Sequence, residues 1–331
     1  MLSIAMTMML LSGAAPDLSG AYGALPKCAE TYDVVLRPDK DEAEWWAGAP
    51  SVMQDRDAVF WMACRMRTAD APRGLRGYEI RILRSDDGVK FEKAQSILRD
   101  QVPIPGFERP ALLADPVTGK CKLYACGPWK EGPWTIIKFD DADSPAAINP
   151  ATARPVIAPC AKEYERDVPP EEYKDPVIIH AGGVYHAWVI GYMRRLERIY
   201  HFTSPDGEQW KPVGDPHESV MNPTGWHDFF VRPAAVVPAG LGYFFIYEGS
   251  KTTWHDPVYN VVTGLGFTFD LDHIIDLTPD KPLFASTTPN EDFHTWRYSS
   301  WLRVGKELWC YAEVATPNKT HEIRRFRFPV E

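Results

Sequence analysis

Short apolar runs separated by polar punctuation recur along the chain, and one phrase returns in altered form. "WAGAPSV" (46–52), "FERPALL" (107–113), "YKDPVII" (173–179) and "FVRPAAV" (230–236) each set a proline inside a β-prone run, three of them directly after a charged residue. Pro50, Pro110, Pro176 and Pro233 lie 60, 66 and 57 residues apart, and "YSSWLRV" (298–304) fills the same slot once more without a proline. A second apolar run follows each: "AVFWMACR" (58–65), "CKLYACG" (121–127), "VYHAWVIGY" (184–192), "GYFFIYEG" (242–249) and "ELWCYAE" (307–313). Third runs end in strong turn chemistry, as in "YEIRILRSDDG" (78–88) and "RIYHFTSPDG" (198–207).

Repeats of a four-strand unit with almost no helical periodicity predict an all-β chain, a five-bladed β-propeller with about four antiparallel strands per blade. A β-sandwich is the alternative, because evenly spaced short strands suit it too. Residues 40–331 read as one propeller catalytic domain. Residues 1–39 read as an N-terminal tail, with "TYDVVLRP" (31–38) lending a strand that closes the ring. Proline suits the start of an innermost strand, where its missing N–H leaves no ladder bond unmade.

The fold decides where chemistry should gather. In a blade, the start of strand one, the end of strand two and the start of strand three meet at one end of the central channel. Strand-one starts supply Glu108, Arg109, Lys174, Asp175 and Arg232, with Trp45, Trp46, His227 and Asp228 just upstream. Strand-two ends supply Arg65, Tyr192, Glu248 and Glu313, and the first unit's third strand begins at Tyr78 and Glu79. A charge cluster on a channel is costly to desolvate unless its members pair or serve a ligand. An inter-blade ring of ion pairs is therefore the structural alternative for any one of them. Glu248 and Glu313 end otherwise apolar strands, where burial can raise a carboxyl toward general-acid use. Carboxylates across a funnel, with arginines and aromatic rings between, suit glycoside hydrolysis. Trp45, Trp46, Trp129, Trp226, Trp254 and Trp296 lie in or beside loops, as sugar platforms or as blade core.

Composition narrows the partners. The chain has 331 residues, 45% hydrophobic and 24% charged, enough for a full core. A net charge of −9 argues against nucleic acid or an anionic membrane as general partner. A neutral substrate, or an anionic one met by local arginines, remains compatible, and oligomeric state stays open. The six cysteines (28, 64, 121, 126, 160, 310) show no zinc spacing and read as buried free thiols. "MLSIAMTMMLLSGAAP" has the apolar run and small residues of a signal segment (1–16) but no basic flank. A secreted or periplasmic location is slightly favoured over the cytoplasm, and the stretch is too short to span a bilayer. No phosphate loop, dinucleotide fingerprint, GxSxG elbow or HExxH pattern is present.

With repeat and axis in place, the chain resembles the five-bladed β-propeller glycosidases, the group containing glycoside hydrolase families 32, 43, 62, 117 and 130. The passage "GYFFIYEGSKTTWHDPVYNVVTGLGFTFDLDHIIDLTPDKPLF" (242–284) is similar to a family 130 segment in which a "YHG" strand end leads to "PLL". "FERP" stands where family 130 carries "EDPR", and "KDPVII" is similar to the "DP" starts of family 43. The departures are specific. The family 43 base slot holds Ala49, the family 130 aspartate slot holds Arg109, and the "YHG" histidine is Glu248. Neither catalytic set transfers whole, and Asp175 is the blade-start aspartate that remains.

The resemblance implies a carbohydrate substrate, an oligo- or polysaccharide, and a glycoside hydrolase. Asp175 is expected as base, kept ionised by Lys174 and Arg232, with Glu248 as proton donor and Glu108 as alternate for either. Arg65, Glu79, Arg109, Lys174, Arg232, Trp46, Tyr192, Asp228 and Glu313 are expected to hold substrate. A phosphorylase, with Arg109, Arg232 and Lys174 on phosphate, and a non-catalytic carbohydrate-binding propeller are the alternatives. No cofactor is expected. Some relatives carry a channel cation that His294 could face, but no oxygen-rich ligand string accompanies it, so no metal is expected.

Overall fold

The computed structural model describes residues 29–159, 172–193, 196–215, 218–253, 261–285 and 295–329. The candidate signal segment, Cys28, Cys160, Trp254 and His294 lie outside them. Strand makes up 54% and helix 6%, so the chain is all-β.

The strands fall into successive antiparallel groups. β1 (Asp33–Leu36) precedes the first, which comprises β2 (Trp46–Gln54), β3 (Phe60–Arg67), β4 (Gly77–Ser85) and β5 (Glu92–Leu98). β6 (Ala111–Ala114), β7 (Cys121–Pro128), β8 (Trp134–Lys138) and β9 (Arg154–Ile157) form the next sheet. β10 (Glu172–Ala181), β11 (Val184–Met193), β12 (Leu196–Ser204) and β13 (Lys211–Pro212) form another. A further sheet holds β14 (Phe230–Ala239), β15 (Gly242–Ser250), β16 (Val262–Thr268) and β17 (Ile275–Asp276). The last group is β18 (Trp296–Val304), β19 (Glu307–Ala315) and β20 (His321–Pro329), and β1 pairs antiparallel with β20 as its outer strand. One parallel bridge, Trp46 to His321, joins this group to the first.

Inner strands neighbour one another in a closed order: β2 beside β6, β6 beside β10, β10 beside β14, β14 beside β18, and β18 beside β2. The apolar core lies between successive groups. Ile80 and Ile82 meet Leu123 and Ile137 in one interface. Trp188 and Ile199 meet Phe245 and Tyr247 in another, and Met62 and Cys64 meet Tyr311 and Ile323 where the last group reaches the first. Burying one such large side chain contributes roughly 2 kcal/mol, so each interface resists splaying.

The turns show why these strands end where they do. In "SDDG" the Ser85 hydroxyl accepts from Gly88 N–H at 2.9 Å, and Asp87 Oδ1 accepts from Val89 and Lys90 N–H at 2.8 Å each. "SPDG" repeats this through Ser204 and Asp206. A third copy, built on Thr268 and Asp270, escaped the sequence pattern because Leu271 stands where the others have glycine, at φ 69°. Neighbouring groups lock onto these turns. Tyr124 donates to the Gly207 carbonyl at 2.8 Å, and Tyr311, at the equivalent register, donates to the Gly88 carbonyl at 2.8 Å.

Tyr124→Phe and Tyr311→Phe should each lower stability by about 1–2 kcal/mol, because a buried carbonyl loses its donor. The two losses should add, the sites being far apart. Urea unfolding of the single and double variants checks this. One cooperative transition is expected; two separate ones would contradict a continuous ring of interfaces.

Candidate active site

Every inner strand kinks near its start. Pairing register slips between Gly48 and Ser51, Lys174 and Val177, Pro233 and Ala235, and Arg297 and Ser300. The extra residues bring Ala49, Arg109, Asp175, Pro233 and Tyr298 to equivalent axial positions. Ala49, Asp175 and Tyr298 take φ of 50–51°, a left-handed conformation costly for residues with a Cβ. The proline phrase therefore needs one correction. Pro50, Pro110 and Pro176 follow the axial residue, whereas Pro233 occupies the axial slot itself, and Arg232 matches Lys174 rather than Asp175.

An N–H at a bulge is removed from its ladder and must find another acceptor. The acceptors come from strand-two ends of the preceding group. Ala49 N–H donates to Glu313 Oε2 at 2.9 Å, Asp175 N–H to Cys126 Sγ at 3.2 Å, and Tyr298 N–H to Glu248 Oε1. Where the preceding residue is Ile190, the axial residue is Pro233, which has no N–H. Where it is Arg65, which cannot accept, Arg109 N–H turns to Asp175 Oδ1 at 3.1 Å.

Glu313 is a buried ionic hub. It also accepts from Arg65 Nη2 at 3.1 Å, from Arg297 Nε at 3.0 Å and Nη2 at 2.8 Å, and from His321 Nδ1 at 2.6 Å. Burial alone would raise its pKa, but Arg297, Arg65 and His321 outweigh that and hold it well below the carboxylate range. Burial pushes His321 down to about 4, so it donates as neutral imidazole. Gly48 is required beside this hub, since a Cβ there would come within 1.8 Å of Glu313 Oε2. Glu248 differs. Burial pushes it up to about 7 despite Arg109 and Arg232, and its Oε2 has no hydrogen-bond partner.

Above the axial residues opens a cavity of about 360 Å³. Asp175 lines it, its Oδ2 accepting from the Tyr298 hydroxyl at 2.9 Å. Glu108 and Glu197 are the other carboxylates on its wall; Glu108 pairs with Arg65 and Glu197 with Arg232. Trp134, Tyr192, Phe229 and Phe230 supply aromatic surface. Lys174 Nζ lies 4.8 Å from the Trp134 ring centroid and 5.0 Å from that of Tyr192, and pairs with Glu172 at 3.1 Å.

Of the residues expected from sequence, Asp175, Glu108, Lys174, Arg232 and Tyr192 meet at this cavity. Lys174 and Arg232 do not hydrogen-bond Asp175; they pair with Glu172 and Glu197 instead. Glu248 and Glu313 are fully buried behind the wall, and Arg65 reaches it only through Glu108. Arg109 plugs the channel, its guanidinium donating to the carbonyls of Pro233, Ala234 and Ser299. Glu79 is taken up by Arg81 and by Ser96, away from the cavity. Asp228 is exposed and braces the Thr252 turn at 2.6 Å. Trp46 is no platform: it lies sandwiched between His321, 3.8 Å away, and Arg67, 3.9 Å away. Trp226 and Trp296 are likewise packed among aromatic rings.

The cavity also holds residues the sequence reading missed: Tyr298, Arg297, Arg67, Glu197 and Trp134. Trp134 and Glu197 start third strands, and Arg297 and Tyr298 start an inner strand. The convergence rule, applied to every repeat, finds them. Cys64, Cys121, Cys126 and Cys310 are buried free thiols. Among the described residues no group of three or more His, Cys, Asp or Glu side chains could hold a metal ion, and no helix is long and apolar enough to cross a membrane.

Glu248 generates a pH prediction. Its ordinary value is 4.5 and its folded value about 7, so between those limits the folded chain holds a proton that the unfolded chain releases. Its contribution is therefore fully present below pH 4.5 and lost as pH rises through 7, by roughly 3 kcal/mol. Glu248→Gln keeps the acceptor for Tyr298 N–H and should remove this slope. Urea unfolding at pH 5 and pH 8 should show the variant gaining relative to wild type at pH 8; equal shifts at both values would contradict the assignment.

No protein-family profile and no curated protein matches the chain. Solved structures do. One is a complex of BT0996 with RGII, at TM-score 0.67 and 13% identity over 89% of this chain and 91% of the other. Another represents the GH130 family of mannoside phosphorylases, described as containing glycoside hydrolases that target β-1,2 mannosidic linkages in Candida mannan, at TM-score 0.66 and 13% identity over 90% and 94%. A third is the β-1,2-mannobiose phosphorylase from Listeria innocua with β-1,2-mannobiose, at TM-score 0.61 and 13% identity over 89% and 94%. The chain has the fold of the propeller glycoside hydrolases and phosphorylases.

Proposed function

We propose that this chain is a five-bladed β-propeller enzyme that hydrolyses a glycosidic bond of an oligo- or polysaccharide in the cavity above Asp175. The blade number rests on the closed order of β2, β6, β10, β14 and β18. The observation that carries the function is Asp175 itself. It is a carboxylate at an axial slot, gripped through both oxygens by Tyr298 and Arg109, and facing an aromatic-walled cavity that Glu108 also lines. Neighbours of the same fold act on glycosides, which supports the substrate class by analogy.

In this reading Trp134 and Tyr192 stack on the sugar and fix the reacting bond over the axis. Asp175 draws a proton from the attacking water or attacks the anomeric carbon itself. Glu108 delivers a proton to the leaving oxygen. Arg65 keeps a counter-charge while Glu108 is protonated, because Glu313 remains its partner. Glu248 sits too deep to touch a sugar and acts through Tyr298. Phosphorolysis is the second reading, favoured by the cationic side chains on the cavity wall.

Asp175→Asn and Glu108→Gln should each lower kcat about a hundredfold or more with little change in Tm, since acid or base work contributes roughly 10²–10⁴. Near-native kcat in both would remove the assignment. Added phosphate should leave the product a free sugar; a sugar 1-phosphate would instead establish the phosphorylase. Glycans bound but never cleaved by the wild-type chain would leave a binding module.

A further inference from the structure

Asp175 does not hold its place at the axis unaided. Its φ is 51°, a strained conformation that persists where surrounding contacts over-determine it. Tyr298 Oη donates to Oδ2 at 2.9 Å, and Arg109 N–H donates to Oδ1 at 3.1 Å. A further contact comes from Cys126, fully buried near the end of β7. Its Sγ accepts from Asp175 N–H at 3.2 Å and lies 3.6 Å from Asp175 Oδ1. The single thiol proton has two acceptors in reach, Oδ1 and the Arg109 carbonyl at 3.9 Å. The carboxylate is both nearer and charged, so the thiol donates to it. Burial and the charge of Asp175 push Cys126 well above its ordinary value, so the proton stays on sulfur.

The residue type is informative. The corresponding strand ends that serve Ala49 and Tyr298 carry Glu313 and Glu248. An ionised glutamate accepts hydrogen bonds and donates none. Beside Asp175 it would also set one carboxylate against another, which disfavours ionisation. A thiol avoids both conflicts, because one small group accepts from the N–H and donates to the carboxylate.

We propose that Cys126 is a positioning residue for the reaction: its thiol clamps Asp175 through both the backbone N–H and Oδ1, and so aims the carboxylate into the cavity. This rests on the reading of Asp175 as base or nucleophile and adds a residue that never touches the sugar.

Infrared spectroscopy on the full chain tests the bond without any substrate, because hydrogen bonding lowers the S–H stretching frequency. Subtracting Cys126→Ser from wild type separates the Cys126 band from those of the other cysteines. That band should rise in frequency in Asp175→Asn, whose uncharged amide is a weaker acceptor. A band that does not move overturns the clamp. Turnover of an aryl glycoside cleaved by the wild-type chain tests the consequence. Cys126→Ala should lower kcat about tenfold with KM nearly unchanged, the carboxylate being misplaced. The acid limb of its kcat profile should move up by roughly half to one pH unit, because a donor to the ionised form is lost. Cys126→Ser, whose hydroxyl both accepts and donates, should recover most of both effects. The charges that act on Asp175, those of Arg109, Lys174 and Arg232, stay in place in every Cys126 variant. A lower Tm in Cys126→Ala with kcat, KM and pH profile all unchanged would make the cysteine structural and overturn its positioning role. Should that variant fail to fold, the infrared band decides. A band tied to Asp175 in a chain that cleaves no glycoside would defeat the glycosidase reading and support the clamp alone.

Discussion

A backbone N–H lifted out of its ladder at the neck of each inner strand must be given an acceptor, and the acceptor has to come from the adjoining sheet. The rest of the centre follows from that. Glu313, Cys126 and Glu248 reach across to Ala49, Asp175 and Tyr298. Proline removes the demand where Ile190 could not meet it. Each solution ties one sheet to the next, so the bulges that narrow the channel also fix the order around it. Stranding even one such amide would cost about 1–3 kcal/mol.

Satisfying backbone amides with carboxylates imports charge into a dry interior, and arginines follow. Around Glu313 the exchange is complete. Around Glu248 it is not, because its single contact is a neutral amide and its second oxygen faces no donor. The two glutamates are equivalent in the repeat and opposite in chemistry. What separates them is that Arg65, Arg297 and His321 bond to one and none of them to the other. Asp175 is the axial side chain that faces the cavity as a carboxylate. Its neighbours in the ring are an alanine, an arginine turned to plug the channel, a proline and a tyrosine. That leaves a focused negative charge on a floor whose walls are cationic, an arrangement suited to a ligand that is bound by arginines and acted on by a carboxylate.

Much of this was legible in the residues. The proline phrase located the inner strands, and the alternation after it located their partners. Asp175, Glu108, Lys174, Arg232 and Tyr192 were found by asking which strand ends converge. The errors have physical causes. Glu248 and Glu313 stand out as charges ending apolar strands, but sequence does not reveal that an amide one sheet away claims each of them. Trp46 looks like a loop aromatic until His321 and Arg67 are seen on its two faces. Tyr298 was passed over because its repeat lacks the proline that marked the others. Arg67 lies two residues beyond Arg65 on the same face of its strand, and only the shared pocket distinguishes it from a structural cation.

The central claim is that the cavity above Asp175 is where sugar is bound and cut. A crystal structure of Asp175→Asn with an oligosaccharide chosen by binding tests it most directly. The account predicts a sugar ring against Trp134 and Tyr192, with its scissile oxygen within hydrogen-bonding distance of Glu108 and of residue 175. A sugar found instead at the opposite mouth of the channel, beside Leu112, Val177 and Trp301, would contradict it.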